Sequence, residues 1–300
     1  MYAVNFENPW LLGVDRAGQR LPAWAAALGS SVFAALILFT VQWTGPSLFG
    51  VFVQVAKSAP KGWDVALATD ALQIMAFAPF IVLAAVGMKI EGRRIRGAPG
   101  GGAVWTFAGL AIGVIGLCVS VAIAWAAGAV ASGDEAALAP LAASFVVGLA
   151  IVAFQALAEE VFFRAWLQPL LSVQWGPWVG LTVTSLLFAG LHNILQHPGL
   201  LANLNLFLGG LLFGLLALRS GGLAAPAAAH IAWNWTESGG LGLAGAPTGG
   251  LVNLHLKGSA LWNGGTDTMN GSLATTLVLA VLVFGLIVAR RFGAKSPVAS

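Results

Sequence analysis

The sequence predicts an all-α polytopic membrane protein, with about eight transmembrane helices around a polar cavity inside the membrane. Three observations predict this fold class. Hydrophobic residues make up 58% of the 300 residues, and only 8% are charged, whereas soluble proteins carry about 25% charged residues. The apolar residues also fall into runs of about 20, which is the length that crosses a bilayer as a helix.

Eight such runs can be placed along the chain. The first 21 residues are polar to mixed, so we expect the first run to be a retained span rather than a cleaved signal peptide. Residues 95–102 are basic and then glycine-rich, which predicts a flexible linker, and residues 239–271 predict an irregular outer loop. The predicted spans are Ala23–Thr44 with a semi-apolar extension to Val55, Val65–Met88, Val104–Ala131, Leu138–Leu171, Trp178–Leu195, Leu200–Leu218, Leu223–Trp235 and Leu273–Ala289.

The basic residues predict the orientation of these spans. If the amino terminus is inside, the inside segments hold most of the Lys and Arg, as short cytoplasmic loops do. We therefore expect both termini to be cytoplasmic. This placement at span ends also excludes a nucleic-acid groove, although the net charge is +3. The inside residues are Arg16, Arg20, Lys89, Arg93, Arg94, Arg96, Arg219, Arg290, Arg291 and Lys295, and the outside ones are Lys57, Lys61 and Lys257.

The fourth run contains three ionisable residues, Glu159, Glu160 and Arg164. A charge at bilayer depth costs about 2.5–3.5 kcal/mol on insertion scales, so these side chains need partners or a polar cavity. Glu160 and Arg164 are four residues apart and lie on one helical face, which predicts an ion pair. That pair alone is equally consistent with a structural lock between helices. Glu159 points about 100° away from this face and has no local cation, which suits a general base.

Further polar residues occur at similar depth in two later runs. His192 lies deep in the fifth, and His230 and Asn234 share one face of the seventh because they are four residues apart. At 1.5 Å per residue, Glu159 lies ~19 Å, His192 ~20 Å and His230 ~12 Å from the cytoplasmic ends of their spans. A lone membrane histidine is often only a contact between helices. A carboxylate, two imidazoles and an amide at one depth instead predict a catalytic site.

These residue types can hydrolyse an acyl bond. A carboxylate and an imidazole, Glu159 and His192, can hold and deprotonate a water molecule. His230 and Asn234 can donate hydrogen bonds to the oxyanion that develops. Alternatively, Glu159, His192 and His230 could bind Zn²⁺ with an open fourth position, although the usual HExxH spacing is absent. The lone Cys118 excludes an intrachain disulfide.

The order of these motifs resembles a known family. Glu159-Glu160-x-x-x-Arg164, Phe188-x-x-x-His192 and His230-x-x-x-Asn234 are similar to the three motifs of the type II CAAX prenyl endopeptidases, also called the Abi or CPBP family. The resemblance covers about residues 140–240 and implies an intramembrane endopeptidase with eight helices. It implies that Glu159 and His192 activate water, that His230 and Asn234 form the oxyanion hole, that Glu160 and Arg164 support the site, and that Phe188 shapes the pocket.

We therefore expect one membrane domain over residues 1–300, with a catalytic core at about 138–240. Its expected partners are membrane lipid and a membrane-associated or lipidated peptide or protein, with no nucleic acid. The Ala, Gly and Trp content with one Tyr favours a bacterial inner-membrane protein. Two other functions stay open at this point: a non-catalytic bacteriocin-immunity or scaffold protein on the same fold, and a proton-coupled transporter.

Overall fold

The computed structural model describes residues 21–58, 63–91, 102–133, 138–195, 197–243 and 250–289. These residues are mostly helical, so the predicted all-α polytopic class is confirmed. The predicted flexible linker lies almost wholly outside the described residues, as do the first 20 residues. The helices are α1 Ala23–Val55, α2 Trp63–Ile90, α3 Gly102–Ala126, α4 Leu138–Glu160, α5 Gln168–Trp175, α6 Pro177–Leu195, α7 Leu200–Ser220, α8 Ala224–Trp235, α9 Ala260–Asn263 and α10 Leu273–Val288.

Within the described residues, six helical stretches are long and apolar enough to cross a membrane. The predicted count of eight is therefore approximate. The two other predicted spans correspond to α6 and α8, and the 12 residues of α8 extend only ~18 Å, which is less than the ~30 Å hydrocarbon core of a bilayer. The six stretches are Ala23–Val55, Val65–Ile90, Gly102–Ala126, Val146–Trp175, Leu200–Ser220 and Gly265–Val288.

Two segments of π-helix interrupt the α-helical pattern. Val161–Leu167 connects α4 to α5, so that the predicted fourth span is one continuous helical rod with wider turns in its middle. Thr236–Gly240 continues α8 beyond Trp235. Segments of this kind frequently occur at functional sites because they change the direction of nearby side chains.

A small antiparallel sheet corrects one predicted span boundary and one predicted irregular loop. The third span ends at Ala126 rather than at residue 131, because Gly128 adopts a φ of 74° and turns the chain. The strand that follows, β1 Val130–Ser132, pairs with β2 Leu254–Leu256. The predicted irregular outer loop therefore contains a strand, the short helix α9 and a 3₁₀ segment, Gly265–Gly271.

Small residues allow α3 to approach α8 closely. Gly109, Gly113 and Gly116 lie on the face of α3 that meets α8. A Cβ atom on Gly113 would overlap the carbonyl oxygen of Ala229 and lie 2.7 Å from the Cβ of Ala232. Membrane helices use such residues because close packing, rather than water exclusion, drives their association. This contact fixes the backbone on both sides of His230.

The apolar core has two main parts. One contains residues of α3, α7, α8 and α10, including Phe213 and Trp233. The other contains residues of α1, α2, α6 and the first π-helical segment, including Phe162, Phe163 and Phe188. The charged residues of the fourth span lie between these two parts.

Candidate active site

Three buried ionisable side chains lie where α4 passes into the first π-helical segment. Glu159, Glu160 and Arg164 are 2%, 0% and 1% exposed. Arg164 Nη1 donates to Glu160 Oε1 over 2.9 Å, as the spacing of four residues predicts. The predicted ion pair is therefore present, although its second residue belongs to a π-helical rather than an α-helical turn.

Aromatic rings and one carbonyl surround the remainder of the Arg164 guanidinium. Nη2 donates to the Gly210 carbonyl oxygen over 3.2 Å, and the cation lies 4.9–5.6 Å from the ring centroids of Phe163, Phe188 and Phe213. Ring faces attract a desolvated cation. Arg164 therefore joins the two parts of the core and holds Glu160 in place.

His230 contacts both glutamates. Its Nδ1 lies 2.9 Å from Glu160 Oε1, and its Nε2 lies 4.0 Å from Glu159 Oε2. The imidazole stacks on Phe213, with centroids 4.5 Å apart and an interplanar angle of 16°, and it is 4% exposed. A hydrogen bond at Nδ1 fixes the orientation of the ring, so that Nε2 points towards Glu159.

Glu159 has one further contact, which sequence reasoning missed. Gln155 Nε2 donates to Glu159 Oε1 over 3.3 Å, whereas the buried Glu159 Oε2 has no hydrogen-bond partner among the described residues. The spacing of four residues between Gln155 and Glu159 was a usable signal, because such pairs lie on one helical face.

His192 approaches the same site from α6. Its Nδ1 lies 2.8 Å from the Phe188 carbonyl oxygen, and because a carbonyl can only accept, Nδ1 is the donor. The neutral ring then presents Nε2 as an acceptor. The ring centroid of Phe188 lies 4.7 Å from that of His192 and 6.0 Å from that of His230, so Phe188 contacts both imidazoles.

A cavity of about 760 Å³ brings most of these residues together. Glu159 itself lies next to this lining, in contact with two of its members, Gln155 and His230. Four of the predicted site residues, Phe188, His192, His230 and Asn234, therefore border one cavity. Its lining includes Gln155, Phe188, His192, His230 and Asn234.

Three further polar residues, Asp70, Asn203 and Asn205, lie in other spans. Asp70 and Asn205 line the cavity. Asn203 exchanges hydrogen bonds with Asn193, and Asn205 donates to the carbonyl oxygens of Asn270 and Ser272. These two asparagines therefore join segments of the chain.

The three residues predicted as zinc ligands do not form a metal site in this arrangement. Among the described residues, no group of three or more His, Cys, Asp or Glu side chains could hold a metal ion. We therefore derive no step of the chemistry through Glu159, His192 and His230 as a ligand set.

The region that contains these site residues matches a known protein family. Residues 141–236 match the family model described as type II CAAX prenyl endopeptidase Rce1-like. Over these residues the chain is similar to that family. The resemblance predicted from the motifs is confirmed, because the matched region contains all three motifs. The apolar helices make the protein an integral multi-pass membrane protein.

One relative shares part of this region. An Escherichia coli protein described as an uncharacterized 24.3 kDa protein is 36% identical over 85 residues. The alignment covers 28% of the present chain and 38% of the relative. No solved structure matches the chain.

Proposed function

We propose that this protein is an intramembrane endopeptidase that hydrolyses a peptide bond of a membrane-associated or lipidated substrate. Glu159 and His192 activate the attacking water, and His230 and Asn234 stabilise the oxyanion. Glu160 and Arg164 support His230, and Phe188 shapes the pocket between the imidazoles. One observation carries this proposal: a buried carboxylate, Glu159, faces an imidazole nitrogen across 4.0 Å at the wall of a cavity.

That separation suits a bridging water. It is too long for a direct hydrogen bond between Glu159 Oε2 and His230 Nε2, yet a water molecule at about 2.8 Å from both atoms can bridge them. Glu159 Oε2 has no hydrogen-bond partner among the described residues, so it is an available acceptor for the proton of such a water. In this proposal the water donates to Glu159 Oε2 and to His192 Nε2, a second acceptor on the same cavity, and it accepts from His230 Nε2 until the oxyanion forms.

The proposed reaction is a direct hydrolysis. Glu159 takes one proton from water while the water oxygen forms a bond to the substrate carbonyl carbon. The C–N bond then breaks, and the leaving amine receives that proton from Glu159. The products are a new carboxylic acid, which releases its remaining proton to the amine or to solvent, and a new amine, and the Glu159 carboxylate is restored.

The charge that develops on the carbonyl oxygen needs donors. Asn234 can donate through its amide, and both Asn234 and His230 line the cavity. His230 Nδ1–H donates to Glu160, so Nε2 donates to the oxyanion when the ring is protonated, and the Glu160 carboxylate stabilises that imidazolium. Arg164 holds Glu160 in turn, as preorganised electrostatic stabilisation requires.

The cavity and its surroundings support a substrate that reaches the site from the membrane. A volume of about 760 Å³ lies in the range of small-molecule and cofactor sites, about 300–1,000 Å³. Large apolar side chains such as Trp43 and Phe107 are exposed on the outer faces of the helices, where lipid contacts are expected. We place the protein in the bacterial inner membrane with both termini cytoplasmic, in agreement with the loop charges.

Two substitutions test the assignment. We expect Glu159→Gln and His192→Ala each to reduce kcat by about 10²–10⁴-fold, the usual contribution of acid–base catalysis. The substrates are a quenched-fluorescence peptide with an S-farnesyl cysteine three residues from its carboxyl end, and the same peptide without the lipid. Glu91→Gln is the matched control, because Glu91 accepts a hydrogen bond from the Leu21 amide and does not line the cavity.

Full activity of both variants would contradict the proposal. If Glu159→Gln instead preserves a biological activity and a partner co-purifies uncut, the non-catalytic immunity or scaffold function is favoured. Metal content and chelator sensitivity of the same preparation separate direct activation of water from hydrolysis by zinc.

A further inference from the structure

A short segment outside the three motifs forms part of the cavity wall. Gly265–Gly271 is a 3₁₀ segment that immediately precedes α10. Four of its residues line the cavity: Thr266, Asp267, Thr268 and Asn270. The segment therefore faces the same space as His192 and His230, although it is distant from them in sequence. We call it the roof segment.

One buried carboxylate binds the roof segment at three points. Glu237 Oε1 accepts from Thr268 Oγ1 over 2.7 Å and from the Met269 amide over 3.1 Å. Glu237 Oε2 accepts from Asn270 Nδ2 over 3.3 Å. The side chain is 3% exposed, and no basic side chain pairs with it among the described salt bridges. Burial raises the pKa of the Glu237 carboxyl, and the bonds from Thr268 and Met269 act in the opposite direction.

The backbone of the roof segment is strained at the residue that Glu237 binds. Thr268 has φ 53° and ψ −151°, a conformation that is an outlier for a β-branched residue. Such a conformation persists only where the surrounding structure over-determines it, and it is common at ligand clamps. Here the hydrogen bonds to Glu237 lie on Thr268 and on the two residues that follow it.

Glu237 also lies in register with the residues proposed to stabilise the oxyanion. His230, Asn234 and Glu237 are separated by four and three residues, so they lie on one helical face, and all three line the cavity. The carboxylate thus connects the helix that carries two proposed catalytic groups to the roof segment of the cavity wall.

From this geometry we propose that Glu237 is a positioning residue: it anchors the roof segment so that a peptide substrate is held against His230 and Asn234. The inference rests on the proposed endopeptidase function. Glu237 itself takes no part in proton transfer, because its oxygens are occupied by the roof segment.

The test compares Glu237→Ala with Glu237→Gln in the full-length protein in lipid nanodiscs. The amide oxygen of Gln can still accept from Thr268 and Met269, so Gln should rescue what Ala loses. For Glu237→Ala we expect backbone amides of residues 266–270 to exchange hydrogen at least tenfold faster. We also expect KM to rise about tenfold, with a smaller change in kcat, for the fluorescent peptide described above.

A second pair of variants covers the case in which Glu237→Ala fails to fold. Thr268→Val removes one hydrogen bond and leaves the carboxylate in place, whereas Thr268→Ser retains the hydroxyl. We expect faster exchange and a higher KM for Val but not for Ser. In the Glu237→Ala background, Thr268→Val should add little, because both changes remove the same interaction.

A binding measurement makes failure of this inference distinguishable from failure of the proposed function. The dissociation constant of the fluorescent S-farnesyl peptide is measured with the same variants, and it does not depend on turnover. If no protein cleaves the peptide but Glu237→Ala weakens its binding about tenfold and loosens the roof segment, the endopeptidase proposal fails and the positioning role stands. If exchange, binding and KM of Glu237→Ala equal those of the unmodified protein, or if only exchange changes, the positioning role is wrong.

Discussion

Adjacent in sequence, Glu159 and Glu160 share His230 but differ in their other partners, Gln155 and Arg164, and only part of this arrangement can be predicted. The Glu160–Arg164 pair follows from a spacing of four residues, and the structure contains it. The contact of His230 with both glutamates spans about 70 residues of sequence. No local rule gives such a contact, because it depends on how α8 packs against α4. The ring was expected to act beside Asn234, and the structure adds two carboxylates to its surroundings.

Gln155 provides a test at the scale of a single hydrogen bond. Gln155→Leu removes the donor to Glu159 Oε1 while keeping a similar volume. Hydrogen bonds to charged groups contribute about 1.5–3 kcal/mol, so we expect kcat to fall about tenfold or more, with little change in KM. Steady-state kinetics with the same peptide measures both. Gln42→Leu, at an exposed position of α1, is the control, and equal kcat values for the two variants would contradict the positioning of Glu159 by Gln155.

The buried ion pair predicts non-additive stability effects. Arg164→Met leaves Glu160 buried without its cation, which costs about 3–5 kcal/mol when one member of a buried pair is removed. Adding Glu160→Gln to that variant removes the unpaired charge, so we expect the double variant to be more stable than Arg164→Met alone. Thermal unfolding in lipid nanodiscs measures this order. Strictly additive losses would show that the two side chains do not stabilise each other.

At the scale of single elements, the apolar runs predicted where the helices lie, with several residues of error at their ends. They did not predict the two π-helical segments. An apolar run can have the same number of residues and the same hydropathy whether its turns are α-helical or π-helical, so these two properties cannot distinguish the two kinds of helix. They also missed β1 and β2, because three-residue strands are shorter than any alternation pattern that sequence can reveal.

The close packing of α3 against α8 can be tested at Gly113. Gly113→Ala places a methyl group against the backbone of Ala229, so α8 must move and carry His230 with it. Overpacking of this kind costs about 1–3 kcal/mol, and we expect a lower unfolding temperature together with reduced kcat. Gly29→Ala is the matched control, because its added Cβ meets nothing within 4 Å. Equal behaviour of the two variants would contradict the packing argument.

For the whole molecule, composition alone predicted the class, because 8% charged residues are too few for a soluble protein of this length. The number of spans was predicted only approximately. Short helices such as α8 are apolar because they pack against neighbours within the bundle. Their hydropathy therefore resembles that of a membrane span, although they are too short to cross a bilayer. The cavity could be anticipated from the polar residues at one depth, but its roof segment could not. That segment lies outside the predicted apolar spans, so its polar residues could not be assigned a depth in the membrane from the sequence.

Loop charges predict the orientation of the whole protein. In a Cys118→Ser background, we expect a cysteine introduced at Lys257 to react with a membrane-impermeant maleimide in intact cells. A cysteine introduced at Ser300 should react only after the membrane is permeabilised. Labelling in the opposite pattern would place both termini outside and would contradict the charge argument.

The wider turns of Val161–Leu167 have a consequence for how this protein can vary. Residues before and after them follow different helical phases, and Gln168, just beyond, donates to the Gly214 carbonyl oxygen. Deleting a single residue there would rotate everything downstream by about 100° and turn Gln168 away from that oxygen. Substitutions keep the number of residues, so they do not change the helical phase of the residues downstream. The stretch should therefore accept substitutions far more readily than any change in its number of residues.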